Sequence, residues 1–228
     1  MWRRSRALVP TAALLAGAFA LAGCGSSSSS SSSSAASSSR TAASTGTTGA
    51  TAGASLGFEG VALEQGGDLA PAGTTQTGTV DGIKCGATEQ LAYHIHAHLS
   101  VFVNGASKAI PAGVGIPGSS PQVTPQGPIA AGGQCIYWLH THTSDGVIHI
   151  ESPTQRIYTL GSFFDVWHQP LSANQVGTAT GKVTAYVDGK PWTKDPRAIP
   201  MGAHTVIQLS VGSPVVPFQN MSWAATQL

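Results

Sequence analysis

Residues 93–104 alternate between apolar and polar side chains with a period of two. One face carries Ile95, Ala97, Leu99, Val101 and Val103, and the other carries His94, His96, His98, Ser100, Phe102 and Asn104. Because successive side chains of a strand point to opposite faces, this pattern predicts a strand whose aliphatic face is buried. The Asn104-Gly105 pair predicts a tight turn at its end.

Four later segments have the composition of strands, namely residues 135–141, 147–152, 182–187 and 205–211. Residues 118–133 are rich in Pro, Gly and Ser, which predicts a loop. The period changes at residues 159–168, where four large apolar side chains at helical spacing predict one short amphipathic helix, namely Leu160, Phe163, Phe164 and Trp167. The predicted fold class is therefore mainly β, an antiparallel sheet or sandwich with one short amphipathic helix; a β-grasp-like α+β arrangement fits the same order.

The first residues have the pattern of an export signal. Arg3, Arg4 and Arg6 precede an apolar run over residues 7–22, which is short for a membrane span of roughly 20 residues. The run ends in Leu21-Ala22-Gly23-Cys24, which resembles the lipobox of bacterial lipoproteins. The resemblance implies that residues 1–23 are a signal peptide, that Cys24 carries a lipid anchor, and that the protein is extracytoplasmic and attached to a bacterial membrane. A plain secretory signal is the alternative.

The chain after the signal divides into two parts by composition. Nine consecutive serines, Ser26–Ser34, open a stretch dominated by Ser, Thr, Ala and Gly, which we interpret as a flexible tether over residues 24–80. Residues 81–228 hold enough aliphatic and aromatic side chains for a core, and we predict that they form a single globular β-rich domain. The slightly more apolar residues 56–69 could pack weakly on that domain.

Two cysteines remain outside the signal region, Cys85 and Cys135. Outside the cytoplasm, a pair of leftover cysteines is most simply a disulfide. The alternative is that either thiol is a metal ligand. As a disulfide, the pair would join the entrances of two strands that bear histidines.

The 228-residue chain has 11 basic and 10 acidic side chains and a formal net charge of +1. Nucleic-acid-binding proteins usually carry a clear excess of basic side chains, which this chain lacks, so we exclude nucleic acid as a partner. Residues 113–118 spell a glycine-rich phosphate-binding pattern, but Pro117 and the following Ser-Ser-Pro do not open a helix, so we predict no nucleotide cofactor. What stands out instead is histidine, because all 8 lie between His94 and His204.

Three predicted strands each carry ligand-type side chains two residues apart, and therefore on one face. If the strands are neighbours, these faces converge. The candidate metal ligands are His94, His96, His98, His140, His142 and His149. Glu151 is a supporting ligand or, in an enzyme, the general base. Imidazole suits several transition metals, and an extracytoplasmic histidine cluster favours copper or zinc over iron. His168 and His204 lie outside these sets.

The motifs Tyr93-His-Ile-His-Ala-His-Leu, Trp138-Leu-His-Thr-His and Gly146-Val-Ile-His-Ile-Glu-Ser-Pro resemble an uncharacterised family of exported, histidine-rich bacterial proteins, over residues 91–211. The resemblance implies no activity. We predict a lipid-anchored extracytoplasmic metal-binding protein for the capture or handling of copper or zinc, whose partners are the membrane and the metal ion. The alternatives are a metalloenzyme with an open coordination position and a non-metal ligand or interaction domain, including a pH-responsive histidine cluster.

Overall fold

The computed structural model describes residues 55–73 and 75–228, and most of its regular elements are strands. In chain order the strands are β1 (Thr79–Val80), β2 (Ile83–Gly86), β3 (Tyr93–Val103), β4 (Ala106–Lys108), β5 (Gln122–Thr124), β6 (Gly127–Ile129), β7 (Ile136–Tyr137), β8 (Leu139–His140), β9 (Val147–Ser152), β10 (Tyr158–Thr159), β11 (Leu171–Ser172), β12 (Gln175–Val176), β13 (Ala179–Thr180), β14 (Val183–Val187), β15 (Lys190–Trp192), β16 (Pro200–Met201) and β17 (Val206–Val211). One α-helix, α1 (Leu160–Trp167), and two 3₁₀ turns, Pro196–Ala198 and Trp223–Ala225, complete the described elements. The predicted fold class, mainly β with one short helix, is confirmed.

The largest sheet has seven strands in the order β15-β14-β17-β3-β9-β8, with β4 also paired to β3. Its pairs are antiparallel except β17 with β3, which run parallel. The sheet is therefore mainly antiparallel, as predicted, and contains one parallel pair. A parallel neighbour needs a long crossover, and the chain between β3 and β17 supplies one.

β3 has the predicted alternation, and its inner face anchors the core. Ala97, Leu99 and Val101 are fully buried in one apolar cluster with the aromatic side chains of α1. At the end of β3, Asn104 and Gly105 both have positive φ, at +50° and +82°, as a two-residue hairpin into β4 requires. The opposite face of β3 is thereby left for its histidines.

Helix α1 forms where the spacing of apolar residues predicts it. The Thr159 hydroxyl accepts a hydrogen bond from the Ser162 N–H, and His168 adopts a left-handed conformation just after the last turn. The buried residues of α1 include Phe163, Phe164 and Trp167, which pack on the large sheet. The helix closes the apolar side of the sheet and leaves its histidine face uncovered by α1.

Two segments differ from the predicted elements. The predicted loop over residues 118–133 contains the β5–β6 hairpin. The predicted strand over residues 135–141 is divided into β7, which pairs with β2, and β8, which pairs with β9. The chain changes sheets between them, so only β8 continues the large sheet.

The domain begins before Asp81, which corrects the predicted tether boundary at Val80. Val61, Leu69 and Ala70 are buried, and the Leu69 N–H donates to the Ala109 carbonyl at 2.8 Å. Apolar contacts and backbone hydrogen bonds therefore hold residues of the described 55–73 segment on the domain. The predicted signal peptide, Cys24 and the tether up to residue 54 lie outside the described residues. Within the described part of the chain, no helix is both long and apolar enough to cross a membrane.

Candidate metal centre

The strand register brings the histidine pairs of three neighbouring strands onto one face. His96 of β3 lies opposite His149 of β9, and His149 lies opposite His140 of β8. In the next row, His94 faces Glu151. The convergence expected from strand parity is therefore present, because β8, β9 and β3 are adjacent in the sheet.

Two groups of side chains have ligand atoms within 4.8 Å of one another and could hold a metal ion. We call them the inner group, which consists of His140, His142, His149 and Glu151, and the outer group, which consists of His94, His96 and His149. His149 belongs to both groups. The inner group is buried except for partly exposed His142, whereas His94 in the outer group is exposed.

Backbone carbonyls fix the orientation of two inner-group rings. The Nδ1–H of His140 donates to the Tyr137 carbonyl, and that of His142 donates to the Ala130 carbonyl, both at 2.8 Å. A carbonyl oxygen can only accept, so a neutral ring held in this way carries its lone pair on Nε2. The two Nε2 atoms lie 3.1 Å apart. Neutral rings therefore point two lone pairs at each other, an arrangement that a shared cation relieves.

Burial keeps two of the histidines neutral. Complete burial, reinforced by neighbouring His149 and His142, holds the pKa of His140 well below its usual range. Burial also lowers the pKa of His96 to about 4, with His149 and His94 acting in the same direction. A neutral imidazole has a free lone pair, which is the form that binds a metal.

His149 lies at the centre of the site and bonds two carboxylates. Its Nε2–H donates to Glu59 Oε1 at 2.8 Å, and its Nδ1–H donates to Glu151 Oε1 at 3.2 Å. Burial lowers the pKa of His149, but these two bonds outweigh burial and raise it to about 9. For Glu59, burial acts to raise the pKa, but the hydrogen bond to His149 acts to lower it, and the resulting pKa of Glu59 is below its usual value. With both protons in place, His149 is a cation in a cluster of acceptors.

Two of the site's carboxylates were not predicted from the sequence. Glu59 comes from the segment interpreted as tether, and Glu89, whose Oε1 lies 3.3 Å from His142 Nε2, comes from the loop before β3. Neither residue lies on a strand, so the period-two pattern could not identify it. The one available signal for Glu59 was its position among the apolar residues Phe58, Val61 and Leu63, which are unusual for a tether.

His98 belongs to neither group, although the sequence predicts it as a ligand. It lies opposite Val147 at the end of the β3–β9 pairing, and its Nε2–H donates to the Asp145 carbonyl at 2.9 Å. It lines a separate cavity of about 580 Å³ together with Glu64 and Phe102. The period-two pattern predicts which face of the strand a side chain lies on, but not whether it is near a given site on that face. His98 is two residues beyond His96, which places it roughly 6.5–7 Å further along the strand.

We expect His98→Gln to leave the metal content of the protein unchanged, because His98 is outside both groups. The variant should lose about 1 kcal/mol of stability through its altered buried hydrogen bond. His140→Gln, at a buried histidine of the inner group, is the matched comparison and should lose metal. Elemental analysis after zinc loading distinguishes the two variants. Loss of metal in His98→Gln would show that His98 is a ligand after all.

The turn before β9 contains a buried carboxylate whose ionisation opposes folding. Burial, reinforced by the charge of Glu59, raises the pKa of Asp145 to about 6. Its folded pKa thus exceeds the unfolded value of about 3.9, so the free energy of unfolding falls as the pH rises through both values.

We expect the metal-free protein to gain about 1 kcal/mol from this group between pH 7.5 and pH 5. Asp145→Asn should lack that part of the pH dependence while Asn Oδ1 keeps the hydrogen bond from the Val147 N–H. Urea unfolding of both proteins at the two pH values measures the difference. Equal pH dependence in both would show that Asp145 is ionised at pH 5 in the folded state.

Cys85 and Cys135 form a disulfide, as predicted, and are therefore not metal ligands here. The bridge joins β2 to the residue just before β7, and Cys85 lies opposite Tyr137 of β7. The Tyr137 carbonyl in turn holds the His140 ring. The disulfide therefore supports the backbone that orients one of the inner-group ligands.

The two histidines predicted to lie outside the site are also outside both groups. His168 follows α1 in a left-handed conformation, and the His204 ring stacks on Trp223 with 4.8 Å between ring centroids. Both have positive φ, at +59° and +61°. They offer natural control positions for variants of the site.

Comparison with known proteins gives no relative from which a function could be transferred: no family model, no curated protein and no solved structure matches the chain.

Proposed function

We propose that the protein binds a transition-metal ion at the inner group. Nε2 of His140 and Nε2 of His142 are two ligands, and Glu151 is a third. His149 completes a four-coordinate site after one of its ring protons is released, because a doubly protonated imidazole has no lone pair for the ion. The observation that carries the proposal is the 3.1 Å separation of the two Nε2 atoms. Two nitrogens bound 2.0–2.1 Å from a tetrahedral zinc ion lie about 3.3–3.4 Å apart, so only a few tenths of an ångström of adjustment is needed.

The hydrogen bonds behind these ligands support the same proposal. Metal-binding histidines usually donate their second ring N–H to a carbonyl or carboxylate, which fixes the tautomer and the ring plane. The Tyr137 and Ala130 carbonyls do this for His140 and His142. The site is thus preorganised by backbone rather than by flexible side chains.

The charge around the site also favours a cation. Glu59, Glu89 and Glu151 all lie within 4 Å of a histidine nitrogen. Among the described residues, every ion pair that these carboxylates make is with histidine, and none is with Lys or Arg. The negative charge is therefore balanced only through histidine, and a divalent ion would balance it more fully.

We propose copper or zinc as the ion, because a donor set of imidazoles and one carboxylate suits both. Four protein ligands leave no open position for substrate, which favours capture or handling of the metal over catalysis. We further propose that the work is done outside the cytoplasm by a chain anchored through lipid on Cys24. The Cys85–Cys135 disulfide supports this location, because disulfides form and persist in oxidising compartments outside the cytoplasm.

Metal retention by the whole chain, produced without a histidine tag, tests the binding proposal. The protein is equilibrated with Zn²⁺ or Cu²⁺ at pH 7.5, freed of excess metal and analysed for its elements. We expect retained metal, and an increase of about 2.7 kcal/mol in unfolding free energy at a free metal concentration 100 times Kd. If the protein retains neither ion and is stabilised by neither, the proposed function is wrong.

Lipid attachment is tested separately. We expect the full-length chain, expressed in a bacterium, to incorporate labelled palmitate and to sediment with membranes. Cys24→Ala should abolish both, because it removes the thiol that would carry the lipid. An unlabelled wild-type chain would contradict the anchor and leave the metal site unaffected.

A further inference from the structure

We infer that the histidine face binds two metal ions side by side, the second held by His94 and His96 of the outer group, with Glu151 bridging the two. This inference rests on the proposed function, and it concerns the number of ions and the way they are shared. It assigns a role to ligand-type side chains that a single ion cannot use.

The number of ligand residues exceeds what one ion needs. The two groups together contain five histidines and one glutamate. One tetrahedral ion takes four ligands, so His94 and His96 remain when the inner group is filled. Their rings lie 4.6 Å apart by centroid, and the His96 ring is 4.7 Å from that of His149. The leftover pair is therefore next to the first site rather than elsewhere on the sheet.

Glu151 of the inner group also contacts the outer group. Its Oε1 is 3.2 Å from His94 Nε2 and 3.8 Å from His140 Nε2, so a single carboxylate oxygen contacts a ligand of each group. Its Oε2 is buried and has no hydrogen-bond partner. A buried carboxylate oxygen without a partner is costly and therefore rare, whereas a carboxylate that bridges two ions uses both of its oxygens.

His96 provides a second unpartnered atom in the outer group. Its side chain is buried, and its Nε2 has no hydrogen-bond partner. Two buried polar atoms without partners, one on a histidine and one on the adjacent glutamate, are what a missing shared ligand leaves behind. A second divalent ion coordinated by His94, His96 and Glu151 would give both atoms a partner.

Ion stoichiometry in the whole untagged chain tests this inference. The protein is loaded with excess Zn²⁺, freed of unbound metal and analysed for zinc. We expect two ions per chain in the wild type and in a His204→Asn control, and one in His94→Gln/His96→Gln. One ion in the wild type, retained in the double variant, overturns the second site and leaves the proposed function intact. No ion in the wild type overturns both.

Electron paramagnetic resonance of the copper-loaded wild type gives an answer that does not depend on the folding of any variant. Two neighbouring Cu²⁺ ions broaden or couple each other's signals, and this effect should appear when the second equivalent of copper binds. A fully loaded protein whose spectrum is that of isolated Cu²⁺ contradicts a shared centre.

Discussion

Replacing both His140 and His142 with alanine should weaken zinc binding by at least about 100-fold. The change removes the two Nε2 atoms that lie 3.1 Å apart and that would form one side of the inner site. Loss of a partner behind a ligand already costs 10–100-fold in metal affinity, and loss of the ligands themselves costs more. Competition with a chromophoric chelator measures the affinity of both proteins at pH 7.5.

The matched control is His168→Asn/His204→Asn. It also removes two imidazoles, but from positions outside both groups, and asparagine tolerates the left-handed conformation of both residues. Its zinc affinity should equal that of the wild type. Equal losses in the two double variants would show that zinc binds histidine nonspecifically, and an unchanged His140→Ala/His142→Ala variant would place the ion elsewhere.

Removing the disulfide with Cys85→Ala/Cys135→Ala should lower the free energy of unfolding by about 4 kcal/mol. The bridge closes a loop with a sequence separation of 50 residues, and the loss of chain entropy in the unfolded state grows with loop length. For a domain of this size, the midpoint of thermal unfolding should fall by about 8–16 °C. Urea unfolding of the metal-free variant and wild type provides the free energies.

The same variant should bind zinc more weakly than the wild type, because the disulfide lies beside the Tyr137 backbone that orients His140. Wild-type protein unfolded under strongly reducing conditions is the control, since it lacks the bridge without any substitution. If the variant and the wild type unfold at the same urea concentration, the bridge does not contribute to stability in the way that loop closure requires.

Strand parity accounts for what the sequence could predict. The histidines of β3 and the His149–Glu151 pair of β9 follow a period of two, and the opposite face is mostly apolar. That local pattern is enough to place them on one face. It does not specify which strands are neighbours, because pairing joins residues far apart in the chain. The adjacency of β3, β8 and β9 therefore had to come from the structure.

The errors have the same origin. His98 shares the face of His96, but it lies opposite Val147, where the partner strand offers no ligand. Glu59 lies in the segment interpreted as a tether, and its role depends on a contact with His149, which is 90 residues away. The composition of a segment indicates whether it can form a core of its own, but not whether it packs on another part of the chain. Residues 55–73 pack on the surface of the domain.

The location of a bound ion in a crystal of the zinc-loaded whole chain is the most direct test of the central claim. Anomalous scattering at the zinc absorption edge should give a peak about 2.0–2.1 Å from Nε2 of both His140 and His142. A protein that retains zinc but shows no anomalous peak within bonding distance of these two atoms would contradict it.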